Sequence, residues 1–241
     1  MTNKQVLFIA DDFGMSAEAN GAIIEAHLHG VLHGVSLMVG QPGSADAVRM
    51  ARDHPDLPMG WHLHLDNSQP VTRATWPWGN SYKRAGWAIG SSRQARQFMR
   101  DEVRAQWDLV RESGVPCAFV NSHHHLHAHP VVYQTLIEVL GSSFNGWLRL
   151  GKPRFFSPNR DALWVVPADW LWMSSWRKHC PYRCTDTLWG LGRTFCMQAE
   201  EVARAIEKLG PGFHEFYFHP RAISPDDLDL RCLLELKKRG F

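Results

Sequence analysis

Short apolar runs separated by amphipathic stretches constrain this chain more than any other feature. "QVLFIA" (5–10), "VSLMVG" (35–40), "MGWHLHL" (59–65), "CAFVNS" (117–122) and "HEFYFHP" (214–220) have the length and composition of buried strands. Between and after them run helix-like stretches. "SAEANGAIIEAHLHG" has Ser16 as its predicted N-cap and Gly30 as its stop, and "SADAVRMARDH" follows the second strand. "SSRQARQFMRDEVRAQWDLVRESG", "VVYQTLIEVLG", "QAEEVARAIEKLG" and "DDLDLRCLLELKKRG" complete the set. Strands alternating with helices predict a parallel sheet with right-handed crossovers. The expected fold is α/β: a (β/α) barrel variant, TIM-like and open to being incomplete. The barrel is preferred to a doubly wound sheet because Asp11, Asp12, His62, His64, the 123–129 histidines and His219 all fall at C-terminal strand ends. A doubly wound sheet would gather ligands only near its switch point.

At 241 residues the chain fits a single large domain, with Trp-rich excursions expected at about 66–91 and 153–195. A net charge of +2, with no isolated basic run, argues against a nucleic-acid partner. The first apolar run is too short for a signal peptide core or a membrane span, so a cytoplasmic location is expected. The five cysteines lack CxxC pairing and read as reduced thiols. Cys180 and Cys184 could ligate zinc, but no nearby residues complete a set. Serine-hydrolase, P-loop and dinucleotide signatures are missing, which removes those reaction classes.

Fourteen histidines are the chemical signal, five of them in "FVNSHHHLHAHP" from Phe119. Imidazole and carboxylate donors suit a divalent ion with one position left for water. Neighbours on a strand point to opposite sides, so Asp11 and Asp12 are not expected to enter one coordination sphere alike. One can bind metal while the other serves as base, a division that suits metal-assisted hydrolysis. His62 and His64 share a face, so either could be the inward ligand. His123 and His127 share a face if the chain turns helical; if it stays extended, His123, His125, His127 and His129 alternate onto one side. Each element alone reads more simply as a solvated turn or a packed histidine. Their agreement on one barrel face favours a metal site. The tryptophans read as core or lid residues, or as surfaces for sugar stacking or membrane contact.

"ADDFGMS", "MGWHLHL", "VNSHHHLHAHP" and "FYFHP", in that order, resemble the motifs of the YdjC-like carbohydrate deacetylases. This family includes chitooligosaccharide deacetylases (ChbG type) and the hopanoid-biosynthesis HpnK type. "SLMVGQPGSADAV", the "VN" before the histidines and "EFYFHP" resemble the HpnK branch more closely, and Asn121 stands where the ChbG type has Asp. The resemblance implies a single divalent metal, zinc first, with magnesium, nickel, cobalt and manganese also admissible. It implies Asp12, His62 and His123 as metal ligands, Asp11 as general base, His219 as the acid that protonates the departing amine, and His125 and His127 as pocket residues for substrate. The implied reaction removes the N-acetyl group of an amino sugar, carried on a hopanoid glycolipid or a chitooligosaccharide. Alternatives are a deacylase of a non-sugar amide or a non-catalytic metal- or sugar-binding barrel. Peripheral contact with the inner membrane and a homodimer, through a barrel edge left open at the C-terminus, are the partners considered.

Overall fold

The computed structural model describes residues 3–156, 173 and 175–241. Its core is one sheet of nine strands, every adjacent pair parallel, in the order β6-β8-β9-β1-β2-β3-β4-β5-β7. The strands are β1 (Lys4–Phe13), β2 (Gly34–Leu37), β3 (Met59–Leu63), β4 (Cys117–Ser122), β5 (Trp147–Leu148), β6 (Lys152–Arg154), β7 (Arg183–Cys184), β8 (Thr187–Trp189) and β9 (Gly212–Phe218). The fifth predicted strand is β9; the four short strands β5 to β8 were not legible in the sequence.

Those four strands decide the shape. β5 and β7 lie at one end of the sheet while β6 and β8 lie at the other. Yet only residues 149–151 join β5 to β6, and only 185–186 join β7 to β8. A few residues of extended chain reach little more than about 10–14 Å. The two ends must therefore meet, and the sheet curls into a barrel, as the strand–helix alternation predicts. Backbone bonds carry both end pairings into these linkers: Thr185 N donates to Leu148 O at 3.2 Å beside β5 and β7, and Lys152 N to Asp186 O at 3.0 Å beside β6 and β8.

The helices are α1 (Ala17–His29), α2 (Ser44–Asp53), α3 (Tyr82–Ser91), α4 (Arg93–Glu112), α5 (Pro130–Leu140), α6 (Ala199–Glu207) and α7 (Leu228–Lys238). Their starts follow local chemistry. The side chains of Ser16, Ser92 and Asp227 accept from backbone amides three residues on. Pro130 opens α5, with the His129 ring accepting from Val131 N. That bond gives His129 a capping role.

The 66–91 excursion ends in α3, which packs beside α4. Its Trp76 and Trp78 are buried, stacked on each other at 5.7 Å and edge-on to Phe98. Their indole N–H groups donate to Ser68 O and Leu65 O. These two rings fasten a loop and present no face to a sugar. In the second excursion Trp164, Trp170 and Trp172 lie outside the described residues. Trp189 stacks flat on Phe216, so it too is a packing residue.

Candidate active site

The C-terminal strand ends surround a cavity of about 560 Å3. Asp11 and Asp12, from β1, both line it, together with His62, His123, His125, Tyr217 and His219. Strict alternation would have sent one aspartate away. Asp12 instead has φ +64°, and the β1–β2 register shifts between Ala10 and Phe13. A left-handed residue at a bulge re-aims its side chain, so two consecutive carboxylates reach one space.

Asp12, His62 and His123 converge. Asp12 Oδ1 lies 3.2 Å from His62 Nε2 and 3.1 Å from His123 Nδ1. Donors about 2.1 Å from one ion would stand about 3.0–3.4 Å apart, so this spacing suits a divalent cation. Apart from its 3.2 Å approach to Asp12, the buried His62 Nε2 has no partner among the described residues. Such an uncommitted nitrogen is what a ligand set leaves for its ion. Burial alone would raise the Asp12 carboxyl, but hydrogen bonds from His123 and His62 outweigh it and hold the group well below the usual carboxylate range. Burial likewise pushes His123 down, and the bond to Asp12 more than reverses it.

Asn121 sets the second layer. His62 Nδ1 donates to Asn121 Oδ1 at 2.6 Å, which leaves Nε2 with its lone pair facing Asp12. The Asn121 amide then donates to Asp11 Oδ1 at 3.0 Å. Ser36 Oγ donates to the same oxygen at 2.7 Å. Sequence reasoning noticed Asn121 only as a departure from the ChbG pattern; here it joins a metal-ligand candidate to the neighbouring carboxylate.

Arg149 was not anticipated. It is fully buried and grips Asp11 with two nitrogens, Nη1 to Oδ2 at 2.5 Å and Nη2 to Oδ1 at 2.8 Å. Its Nε donates to Glu215 Oε1 at 2.7 Å. Burial would raise Asp11, but the Arg149 charge outweighs it and holds the carboxyl far below its ordinary range. Glu215 shares the same guanidinium with a poorer fit, and burial wins: its carboxyl is pushed up to about 7. One signal could have found both residues. Each is a lone charge inside an apolar strand run, "WLRLG" and "HEFYF", and a buried charge must have a partner.

The histidine run divides. Residues 123–128 form short 3-10 turns broken by a kink, where His124 and His125 take left-handed conformation at φ 50° and 56°. Neither the extended nor the helical expectation describes it. His124 is bonded to Asp66 at 2.9 Å and packs on Tyr82. The His125 ring lies against Tyr217, whose hydroxyl is 3.3 Å from Nε2, and burial pushes its imidazole well below the ordinary value. His127 stands behind the cavity wall. It is fully buried, and its nitrogens are taken by Ser122 Oγ and Arg149 O, both at 2.6 Å. His64 is also engaged elsewhere, between Ser68 Oγ and Val39 O at 2.9 Å each, and burial lowers it to about 3. Between the two candidates on β3, His62 is the inward one.

His219 follows β9 on the far side of the cavity. Its backbone N–H donates to Asp229 Oδ2 at 2.7 Å, and its ring Nδ1 is 3.9 Å from the same oxygen. Burial pushes the imidazole below its ordinary value. Asp229, at the start of α7, was also missed by sequence reasoning. Met15, Pro153, Met173, Leu191 and Phe195 add apolar surface to the lining, beside Asn67, Thr194 and Arg221.

Comparisons with known proteins agree with this architecture. The chain is 34% identical over 141 residues to a carbohydrate deacetylase of Vibrio cholerae serotype O1 (strain M66-2), covering 56% of this chain and 54% of that protein. It is 30% identical over 154 residues to a chitooligosaccharide deacetylase of Serratia marcescens, covering 62% and 60%. The chain thus matches about half the length of its first curated relatives. A crystal structure from Enterococcus faecalis V583, named as a cellobiose-phosphate cleavage protein, shares the fold with a TM-score of 0.71 at 19% identity, over 98% of this chain and 93% of that one. The model of the YdjC-like proteins matches residues 5–236, and on that match the chain belongs to the YdjC-like family.

Proposed function

We propose that this protein hydrolyses the N-acetyl group of an amino sugar with the help of one divalent cation. The observation that carries the reading is the cluster of Asp12, His62 and His123, with His62 Nε2 and His123 Nδ1 at 3.2 and 3.1 Å from Asp12 Oδ1, beside a second carboxylate in the same cavity. Relatives named as carbohydrate and chitooligosaccharide deacetylases support the substrate class. Zinc fits this donor set first, and nickel, cobalt, manganese or magnesium would serve. A cation bound there would polarise the acetamide carbonyl and acidify a water.

The residues around it supply the rest. Asp11 takes the proton of the attacking water. Its Oδ1 is filled by Ser36, Asn121 and Arg149, so Oδ2, with one donor, is the oxygen with room for it. A carboxylate held so low is a weak base, and it removes a proton only from a strongly acidified water. His219 is neutral at rest because of its burial. It takes up a proton from solvent and passes it to the departing amine, while Asp11 returns the water's proton to solvent. His125 and Tyr217 line the sugar's side of the cavity; His127 supports the wall through Ser122 and Arg149.

The apolar part of the lining supports a substrate with an apolar carrier, such as an N-acetylglucosaminyl hopanoid, over a chitooligosaccharide. Charge distribution supports contact with an anionic membrane. Residues 67–100 hold six Lys and Arg and no Asp or Glu, which leaves twenty basic against twenty-four acidic residues elsewhere. Asn67 and Tyr82 of this segment line the cavity, and its Trp87 is 77% exposed. No helix of the described residues is long and apolar enough to cross a membrane.

Acetate release from an N-acetylglucosaminyl lipid and from N,N′-diacetylchitobiose, before and after chelation, tests the reading. Chelator-sensitive release is expected. Asp11→Asn should keep the metal and lose turnover, while His123→Ala should lose the metal. Absence of chelator-sensitive acetate from every N-acetyl sugar would refute the proposal.

A further inference from the structure

A second set of metal-type donors lies at the other end of the barrel. His27, in the last turn of α1, faces His54, the C-cap of α2, with ring centroids 5.2 Å apart and edge to face. Asp56, two residues further on, brings Oδ2 to 3.4 Å from His27 Nε2. One ligand atom from each of the three lies within 4.8 Å of the others. Donors on one ion stand about 3.0–3.4 Å apart at right or tetrahedral angles, so closing the set takes a shift of up to about 1.5 Å. Asp56 can make it, because its side chain is 75% exposed.

Two features separate this cluster from an ordinary surface ion pair. Among the described residues neither imidazole makes a side-chain hydrogen bond, so apart from the weak His27–Asp56 pairing their ring nitrogens are uncommitted. The cluster also sits where α1 and α2 both end. Two helix C-termini with unpaired carbonyls make the surroundings favourable to a cation.

We propose that His27, His54 and Asp56 bind a second divalent ion of the zinc, nickel, cobalt or copper class, with water completing its shell. The site is structural. α1 and α2 run back from the strand ends that carry the cavity, so their C-termini lie at the opposite face, roughly 15–20 Å away by strand length. That is the face where barrels hold stabilising features and not catalytic ones. The ion would clip α1 to the turn that leads into β3, and it would raise stability without entering turnover.

The test is zinc binding by equilibrium dialysis of the chelator-stripped full chain. Two equivalents per chain are expected for the native protein and one for His27→Ala/His54→Ala, whose acetate-release activity and circular dichroism spectrum should match native. The milder His54→Gln should also lose one equivalent and the zinc-dependent rise in melting temperature. Cobalt added to Asp12→Ala gives an independent spectroscopic reading, since any visible d–d band then reports this site and should vanish with His54→Ala. A zinc count that the double substitution does not lower by one equivalent would overturn the proposal. Because the counts do not depend on activity, they stand apart from the deacetylase reading.

Discussion

Replacing Arg149 by Met removes a guanidinium that is fully buried and that holds two carboxylates by three hydrogen bonds of 2.5–2.8 Å. Methionine fills most of the volume, so the cost is electrostatic. Deleting one member of a buried ion pair costs about 3–5 kcal/mol, because the remaining charge has no water to solvate it. Here the loss falls mainly on Asp11. Glu215, already pushed up to about 7, escapes by taking a proton. The sign with pH follows from the two states. In the native chain the Asp11 carboxyl lies below its unfolded value, so its contribution is fully present above that value and fades only in acid. In Arg149→Met, burial, the largest influence on this carboxyl, is opposed only by the Ser36 and Asn121 donors and the nearby His62 and His219. The carboxyl should therefore rise above its unfolded value and the variant lose stability as pH rises. The gap between native and variant should therefore widen from pH 5.5 to pH 8. Urea unfolding at the two pH values, with unchanged slope, measures it. A gap below about 1 kcal/mol at pH 8, or one that does not change with pH, would mean that Arg149 does not neutralise Asp11.

Two further outcomes test the same network. Asn121→Leu should cut metal affinity about 10–100-fold while leaving the ligands in place, because His62 loses the acceptor that fixes its tautomer; zinc dialysis measures it, and unchanged affinity would remove Asn121 from the site. Glu215 has a folded value near 7 against 4.5 when free, so the stability it contributes is present below 4.5 and is lost as pH climbs toward 7 and beyond. Glu215→Gln should flatten that part of the stability profile, by at most about 3 kcal/mol.

Much of the site was legible because its parts follow strand ends. Asp12, His62 and His123 were separable from their neighbours by motif position, and the described geometry brings these three together. The histidine run was harder to read. Its density suggested one cage, yet the chain turns through left-handed residues and sends the rings to different partners: Asp12, Asp66, Tyr217, Ser122 and a helix start. No periodicity encodes such a turn. The short strands β5 to β8 were also hidden, since two or three residues carry no period of their own.

By itself the sequence determined the strand–helix alternation, the capped helices and the residue types available for chemistry. These depend on local propensity and on the spacing of apolar residues, which a linear reading contains. Tertiary structure alone decided that Asp11 and Asp12 share a cavity, that Asn121 links His62 to Asp11, and that Arg149 and Glu215 form a buried charge cluster beneath them. Arg149 is 138 residues from Asp11 along the chain and 2.5 Å from it in space. Electrostatic coupling depends on the second distance, and only the curled sheet creates it.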